Sequence, residues 1–353
     1  QWYIVRNNGA QIEEIQSGDR LPFASQPLDS RNIVAPVTLR PGEQVDVIVR
    51  LTTHDGLFEA MPVTLHTEES FHRATDTENK VLMLFHGGVI ALALYNLLLF
   101  FATREKSFGL YSHYLFWFLA WSLTWRGYTF QYLWPNSPDF TNNFLNVAAA
   151  GTFGSVGLFC IYYLRLHQTA PRRILRLVQA LVVAKVGVAL FALSGQYFNT
   201  VLVGWAVGLP LIFVTLGTAV WLAFKGFRPA YFYVLAFTLL SVGVTSYILQ
   251  VTTVLPTNWF TTWGIQIGSA LEVLILALGL ADSMNELKAK KLQAERRMRQ
   301  SQQQLTEKLE KEVRERTRDL RNANQRLQAL AITDELTGAF NRRHFNEFCD
   351  KAL

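Results

Sequence analysis

The chain has 353 residues, half of them hydrophobic, yet its mean hydropathy is only slightly positive at +0.16, which excludes a chain of one uniform character and requires apolar and strongly polar regions in series. The formal net charge of +6 divides unevenly: six Lys/Arg against twelve Asp/Glu in residues 1–79, eleven against four in 80–283, and sixteen against eleven in 284–353. The basic surplus therefore lies in the apolar middle and the tail rather than on one polar surface, which argues against nucleic-acid binding.

The chain opens on Gln1-Trp2-Tyr3-Ile4-Val5, with no initiator Met and no basic-then-apolar secretion signal, and it closes at Leu353 inside an amphipathic pattern. Both ends are expected to be truncations of a longer protein. Residues 1–72 carry short alternating segments at 3–6, 34–39, 44–51 and 61–66. Between them stand the turn signals Asn7-Asn8-Gly9, Ser17-Gly18-Asp19, Arg40-Pro41-Gly42 and His54-Asp55-Gly56. That spacing predicts part of an extracytoplasmic β-sandwich, with too few strands to close one. No disulfide can form in this region, because the two cysteines are Cys160 and Cys349.

Seven apolar runs long enough to cross a bilayer follow, at 81–102, 108–125, 144–164, 177–193, 200–224, 230–250 and 263–281. They predict an all-α membrane bundle over residues 80–283. Arg104 and Lys106, then Arg165, Arg172, Arg173 and Arg176, then Lys225 and Arg228 fill alternate loops, whereas the loops at 127–143, 194–199 and 251–262 have neither Lys nor Arg. By the positive-inside rule the first set is cytoplasmic, which puts the head outside and residues 284–353 inside. Tyr128, Tyr132, Trp134, Tyr197, Trp259 and Trp263 on the outer side read as an interfacial aromatic belt rather than a ligand cage.

Ionisable groups within the spans are few, and Lys185 and Glu272 stand out. Each is costly in hydrocarbon unless paired or facing a wet interior. Either the two pair between the fourth and seventh spans, or Lys185 faces a polar interior while Glu272 bonds Gln266, Ser269 or a water. His86, Asn96 and Gln266 are expected to act as interhelical hydrogen-bond groups. No run of charges marks an ion path, so a transporter is the weaker reading.

From Met284 the chain is rich in Glu, Lys, Arg, Gln and Leu, with no Gly or Pro before Gly338, which predicts one long helix. Steps of three and four run through Met284, Leu287, Lys291, Ala294, Met298, Ser301 and Leu305, and again through Val313, Arg316, Leu320, Ala323, Leu327 and Leu330. These are the a and d positions of a coiled coil over 284–331, expected to pair two copies into a homodimer rather than serve as a passive spacer. The steps Leu305-Leu309-Val313 are four and four, so the phase slips there.

Several stretches resemble a known family. Residues 17–23, Ser30-Arg31-Asn32-Ile33-Val34-Ala35-Pro36 with its continuation to Gly42, residues 47–51 and residues 61–65 are similar to the second half of an extracellular jelly-roll. That jelly-roll belongs to bacterial seven-transmembrane receptors with diverse intracellular signalling modules. Residues 93–100, 111–115 and 127–135 are similar to the same family's membrane domain. The resemblance implies a receptor in the bacterial inner membrane and a small extracytoplasmic ligand, with carbohydrate a candidate because the fold is similar to carbohydrate-binding ones.

After the stalk, Asp334, Leu336, Thr337, Gly338, Asn341, Arg342 and Arg343 form a motif that resembles the opening of GGDEF domains, the catalytic modules of diguanylate cyclases; Ala339 stands where Leu is usual. The motif is expected to end the helix at Gly338, with Asp334 and Arg342/Arg343 bracing the turn. The resemblance implies that two subunits join two GTP molecules with magnesium. It also implies that the guanine- and metal-binding residues follow the motif, so residues 332–353 are only the start of that domain. Catalytic and metal-ligating residues are thus expected to be absent from the chain, which also has no phosphate-binding glycine loop, zinc pattern or nucleophile elbow. The alternatives are a degenerate GGDEF domain that binds cyclic di-GMP or regulates a partner, and a receptor histidine kinase, against which the motif speaks.

Overall fold

In the computed structural model the described residues are 1–6, 11–52, 63–334 and 336–352. They divide into two units, Gln1–Ser283 and Met284–Leu353.

In the head, β1 (Trp2–Arg6) is flanked by β2 (Gln11–Ile15) and β3 (Val45–Val49), both antiparallel to it, with Trp2 opposite Ile15 and Val49. Alternation along β1 buries Trp2 and Ile4 on one face and leaves Tyr3 and Val5 half-buried on the other. The expected strand at 34–39 does not form, because Pro36 lacks the N–H that a ladder needs. Arg6 holds that segment beside the sheet instead, pairing with Glu43 at 2.8 Å and donating to the Thr38 carbonyl at 2.9 Å. The strand at Gln11–Ile15 was not expected from Gln-Ile-Glu-Glu-Ile, whose alternation is broken by its second Glu; pairing with β1 overrides that weak pattern. Residues 63–66 of the expected fourth strand are irregular. Its first two residues, the turns at Asn7-Asn8-Gly9 and His54-Asp55-Gly56, and Glu335 lie outside the described residues.

The helices are α1 (Glu68–Thr103), α2 (Lys106–Trp125), the short α3 (Tyr128–Tyr132), α4 (Pro138–Tyr163), the single turn α5 (Leu166–Thr169), α6 (Arg172–Ala192), α7 (Tyr197–Phe224), α8 (Arg228–Val251), α9 (Trp259–Ile332) and α10 (Arg342–Ala352). Six of them, α1, α4, α6, α7, α8 and α9, are long and apolar enough to cross a membrane. α2 falls short on apolarity, since Tyr111, Ser112, His113, Tyr114 and Ser122 interrupt its Leu, Phe and Trp residues.

Local signals account for the helix ends. Thr67 caps α1 by accepting from the Ser70 N–H at 3.3 Å, with Glu68 and Glu69 in the first turn. Pro138 opens α4, where its missing N–H costs nothing. α1 begins well before its apolar run because residues 68–80, although polar, carry no helix breaker.

α2 packs against α1 and α4, α4 against α6 and α7, and α7 against α8. Tyr111, Tyr114, Phe159, Tyr233, Leu276 and Leu280 fill the interior, while Leu84, Leu98, Val183, Phe213 and Leu274 stand on the outside. Hydrocarbon would solvate that apolar exterior as well as a protein core would. The tightest crossing is between α8 and the start of α9. A Cβ on Gly243 would collide with the Gly264 carbonyl, and one on Gly268 would lie 3.0 Å from the Leu239 carbonyl oxygen.

Backbone meets backbone at that crossing, so no side-chain adjustment can relieve an added group. Gly243→Val is expected to cost at least the ~1–3 kcal/mol of ordinary overpacking and to lower the thermal unfolding midpoint in detergent. Gly87→Ala, whose added Cβ meets nothing within 4 Å, should leave that midpoint unchanged or slightly raised.

Candidate functional site

Residues 19–31 of the head lie along α3 and its flanks. The Phe23 N–H donates to the Pro135 carbonyl at 2.8 Å, and its ring meets Phe130 edge-on at 5.5 Å. Gln131 Nε2 donates to Asp29 Oδ1 at 2.9 Å, Asn142 Nδ2 to the Asp19 carbonyl at 3.3 Å, and Arg20 pairs with Asp139 at 3.3 Å.

Arg31 is the centre of this joint. Its side chain is 4% exposed, and Nη2 makes an ion pair with Glu78 Oε2 at 2.8 Å. Nε donates to Asn79 Oδ1 at 3.1 Å and Nη1 to the Arg126 carbonyl at 3.4 Å, while the guanidinium stands 5.2 Å over the Tyr128 ring. Tyr128 in turn donates to Asn79 Oδ1 at 3.0 Å. Glu78 and Asn79 come from α1, Arg126 from the end of α2 and Tyr128 from α3, so one head residue ties together three helices.

Arg126 lies 3.8 Å from Glu78 Oε1, and its guanidinium sits over the rings of Trp125 at 4.7 Å and Trp263 at 5.7 Å. The turn that brings Arg31 this close depends on Gly127. Its φ is +80°, and an added Cβ would lie 3.4 Å from both the Cβ and the carbonyl oxygen of Arg31.

The joint is not among the sites that the sequence alone singles out. Arg126 falls between the span at 108–125 and the loop at 127–143, a cation at the otherwise uncharged outer end of a span. An arginine on that disfavoured side, with Glu78 just ahead of the first span, was the available signal of an ion pair.

Below the joint, His86 Nε2 and Ser122 Oγ are hydrogen-bonded at 2.9 Å across α1 and α2, and the His86 ring lies edge-on to Tyr128 at 5.9 Å. Asn96 turns its amide to its own helix, donating to the Leu92 carbonyl at 2.8 Å. Lys185 and Glu272 do not pair. Lys185 donates to the Gly204 carbonyl of α7 at 2.6 Å and stands 4.8 Å over the Phe153 ring of α4. Glu272, fully buried, accepts at Oε2 from the Tyr114 hydroxyl at 2.8 Å rather than bonding Gln266 or Ser269, and its Oε1 has no hydrogen-bond partner. The two face different neighbours: α6 looks toward α4 and α7, while Glu272 looks toward α2.

In the second unit α9 ends at Ile332, six residues before the expected stop. The reason is a loop built on Asp334, whose Oδ1 accepts from the Leu336 and Thr337 N–H groups at 3.1 Å each and from the Thr337 hydroxyl at 3.0 Å. The Gly338 N–H returns to the Asp334 carbonyl at 2.9 Å, and Gly338 takes a φ of +69°. Asn341 closes the loop, with Nδ2 donating to the Ala331 carbonyl at 2.6 Å and Oδ1 capping α10 by accepting from the His344 N–H at 2.9 Å. Asp334 is thus braced by backbone N–H groups rather than by the arginines; Arg343 pairs with Glu347 within α10 at 3.3 Å. Leu336 is exposed. Among the described residues no cluster of His, Cys, Asp and Glu is arranged to hold a metal ion.

Residues 78–283, more than half of the chain, match the family described as 7TM diverse intracellular signalling, and residues 1–67 match the one described as 7TMR-DISM extracellular 2. No curated protein and no solved structure matches the chain.

The backbone N–H and hydroxyl of Thr337, with the N–H of Leu336, hold the Asp334 carboxyl below its ordinary value. A lowered value in the folded loop means that the stabilisation is present above the ordinary carboxylate value near ~3.9 and is lost as pH falls through the loop's own lower value. Deuterium uptake over residues 333–341, corrected for intrinsic rate, should therefore stay low from neutral pH down to ~4 and rise below it. Asp334→Ala should show the high uptake at every pH; equal uptake in the two proteins would show that the carboxylate does not hold the loop.

Proposed function

Because the chain belongs to the family described as 7TM diverse intracellular signalling, we propose that this transmembrane sensory receptor drives a diguanylate cyclase. In this reading it lies in the bacterial inner membrane with its head outside and its C-terminus in the cytoplasm. The head takes a small ligand, with carbohydrate the first class to test. α1, α2, α4, α6, α7, α8 and the start of α9 are the seven spans. α2 crosses despite its polar residues because α1 and α4 flank it and Tyr111, Ser112, Tyr114 and Ser122 are buried.

The observation that carries the reading is α9, which runs without a break from Trp259 to Ile332. Its earlier part carries buried Glu272, Val273 and Leu276, and its later part carries an exposed row through Leu305, Leu309, Val313, Leu320, Leu327 and Leu330. A lone helix gains nothing from such a row, whereas a second copy would bury it. The receptor is therefore read as a homodimer through residues 284–331. The Asp334 loop and α10 follow as the opening of a GGDEF domain. That domain would hold GTP and magnesium through residues beyond the motif and join two GTP molecules into cyclic di-GMP across the dimer. The bonds made by Asp334 and Asn341 support this assignment, since both belong to the motif and each makes several.

Orientation is tested by reporter fusions. Fusions after Lys106, Arg173 and Arg228 should behave as cytoplasmic, and fusions after Ser137, Gln196 and Asn258 as extracytoplasmic; inversion at any two would overturn the topology.

Transmission is tested by deletions in the full-length receptor. Removing residues 294–300 keeps the downstream phase within about 20°, whereas removing 294–297 rotates it by roughly 40° on a period of 3.6. The seven-residue deletion should retain ligand-regulated cyclic di-GMP production, and the four-residue deletion should lock it on or off. Identical output from both would make the stalk a passive tether.

A further inference from the structure

Glu78 is, among the described residues, the carboxylate that meets two arginines, and the two hold it unequally. Arg31 of the head takes Oε2 at 2.8 Å, while Arg126 of the bundle reaches Oε1 only at 3.8 Å. Arg31 also donates Nη1 to the backbone carbonyl of Arg126 at 3.4 Å, so the two arginines meet beside the same carboxylate. Both arginines are largely buried, their side chains 4% and 15% exposed, and each keeps one buried nitrogen, Arg31 Nη2 and Arg126 Nε, without a well-aligned hydrogen bond. Two guanidiniums thus share one carboxylate. The more distant one, Arg126, is the one that stays with the bundle when the head moves.

We propose that Glu78 is an exchange carboxylate. With the head seated it pairs with Arg31 and Arg126 is held off; when the head lifts and withdraws Arg31, Glu78 closes on Arg126. The exchange keeps the Glu78 carboxylate paired in both states, which is what a two-state element in a poorly solvated place requires. It also carries information onward. Arg126 rests over Trp263, near the start of the same helix that runs on to Ile332, so its swing toward Glu78 on α1 removes a contact from α9. The seated head therefore holds Arg126 against α9, and the lifted head releases it. This reading of the joint rests on the proposal that the head receives the signal.

The exchange makes the two arginines act with opposite sign. Head seating can be read in the full chain by cross-linking with a short bis-maleimide between cysteines placed at the exposed pair Arg20 and Asp139, in a Cys349→Ser background. Arg31→Ala should lower the cross-linked fraction several-fold, because it weakens the seated state alone. Arg126→Ala should leave the fraction unchanged or raise it, because it weakens the lifted state alone. In a Glu78→Gln background Arg126→Ala should have little further effect, and Arg31→Ala should keep only the part of its effect that comes from Asn79, the Arg126 carbonyl and Tyr128. If Arg126→Ala, or Arg126→Gln where the alanine variant does not fold, lowers seating as Arg31→Ala does, the joint is an additive ion cluster and the exchange is wrong. If the opposite signs are found while the output of the full-length receptor is the same in all variants, the exchange stands and the signalling role of the head falls.

Discussion

Hydrocarbon offers no hydrogen bonds, so every polar group inside the bundle has to be satisfied by the protein itself. That constraint explains why the membrane unit is helical throughout and why its hydroxyl residues turn inward on their own turns. Thr124, Thr152, Ser155, Thr215 and Thr218 each donate to the carbonyl four residues earlier. It also explains why Lys185 spends its ammonium on a backbone carbonyl and an aromatic face. Neither requires a second charge to be buried, and a buried ion pair often fails to recover its own desolvation cost. Glu272 meets the same constraint only halfway, through Tyr114, and its second oxygen is left as the least satisfied acid in the core.

The same rule acts differently at the head end. There the groups are charged on both sides, and the solution is a compact set in which Arg31 uses an ion pair, a side-chain amide, a backbone carbonyl and an aromatic ring together. Such a guanidinium cannot be exchanged for lysine, whose point charge lacks the planar fork. The head is therefore positioned less by its sheet than by an irregular segment, residues 19–31, with Arg31 at its centre. Loops placed by rigid elements are where function usually concentrates.

How far this architecture was legible in the sequence depends on the range of the interactions involved. The long helices could be read because an apolar run is a local property, and their true starts were missed where the helix extends into polar sequence, as at Glu68. The strand at 34–39 failed for a local reason, Pro36, that outweighed its alternation. The pairing of β1 with Gln11–Ile15 was hidden because strand partners are chosen in three dimensions. The site was hardest of all. Arg31, Glu78 and Arg126 stand far apart in the chain, and each taken alone is an ordinary polar residue beside a loop or a helix end. The motif at 334–343 was recognisable as a pattern, but its internal logic was not. Arginines suggest salt bridges, and it is backbone N–H groups that hold Asp334.

The crossing at Gly243 and Gly264 has a mechanical consequence. Where two backbones touch, α9 cannot slide past α8, but it can tilt, so the contact behaves as a fulcrum. Above it α9 extends only from Trp259 to Gly264, about 7.5 Å at 1.5 Å per residue, while below it the helix runs to Asp282, about 27 Å away on the same rise. The arms differ by a factor of about 3.6. A displacement at Trp259 is thereby geared into one several times larger at the far end, where Asp282 pairs with Arg228 at 2.8 Å.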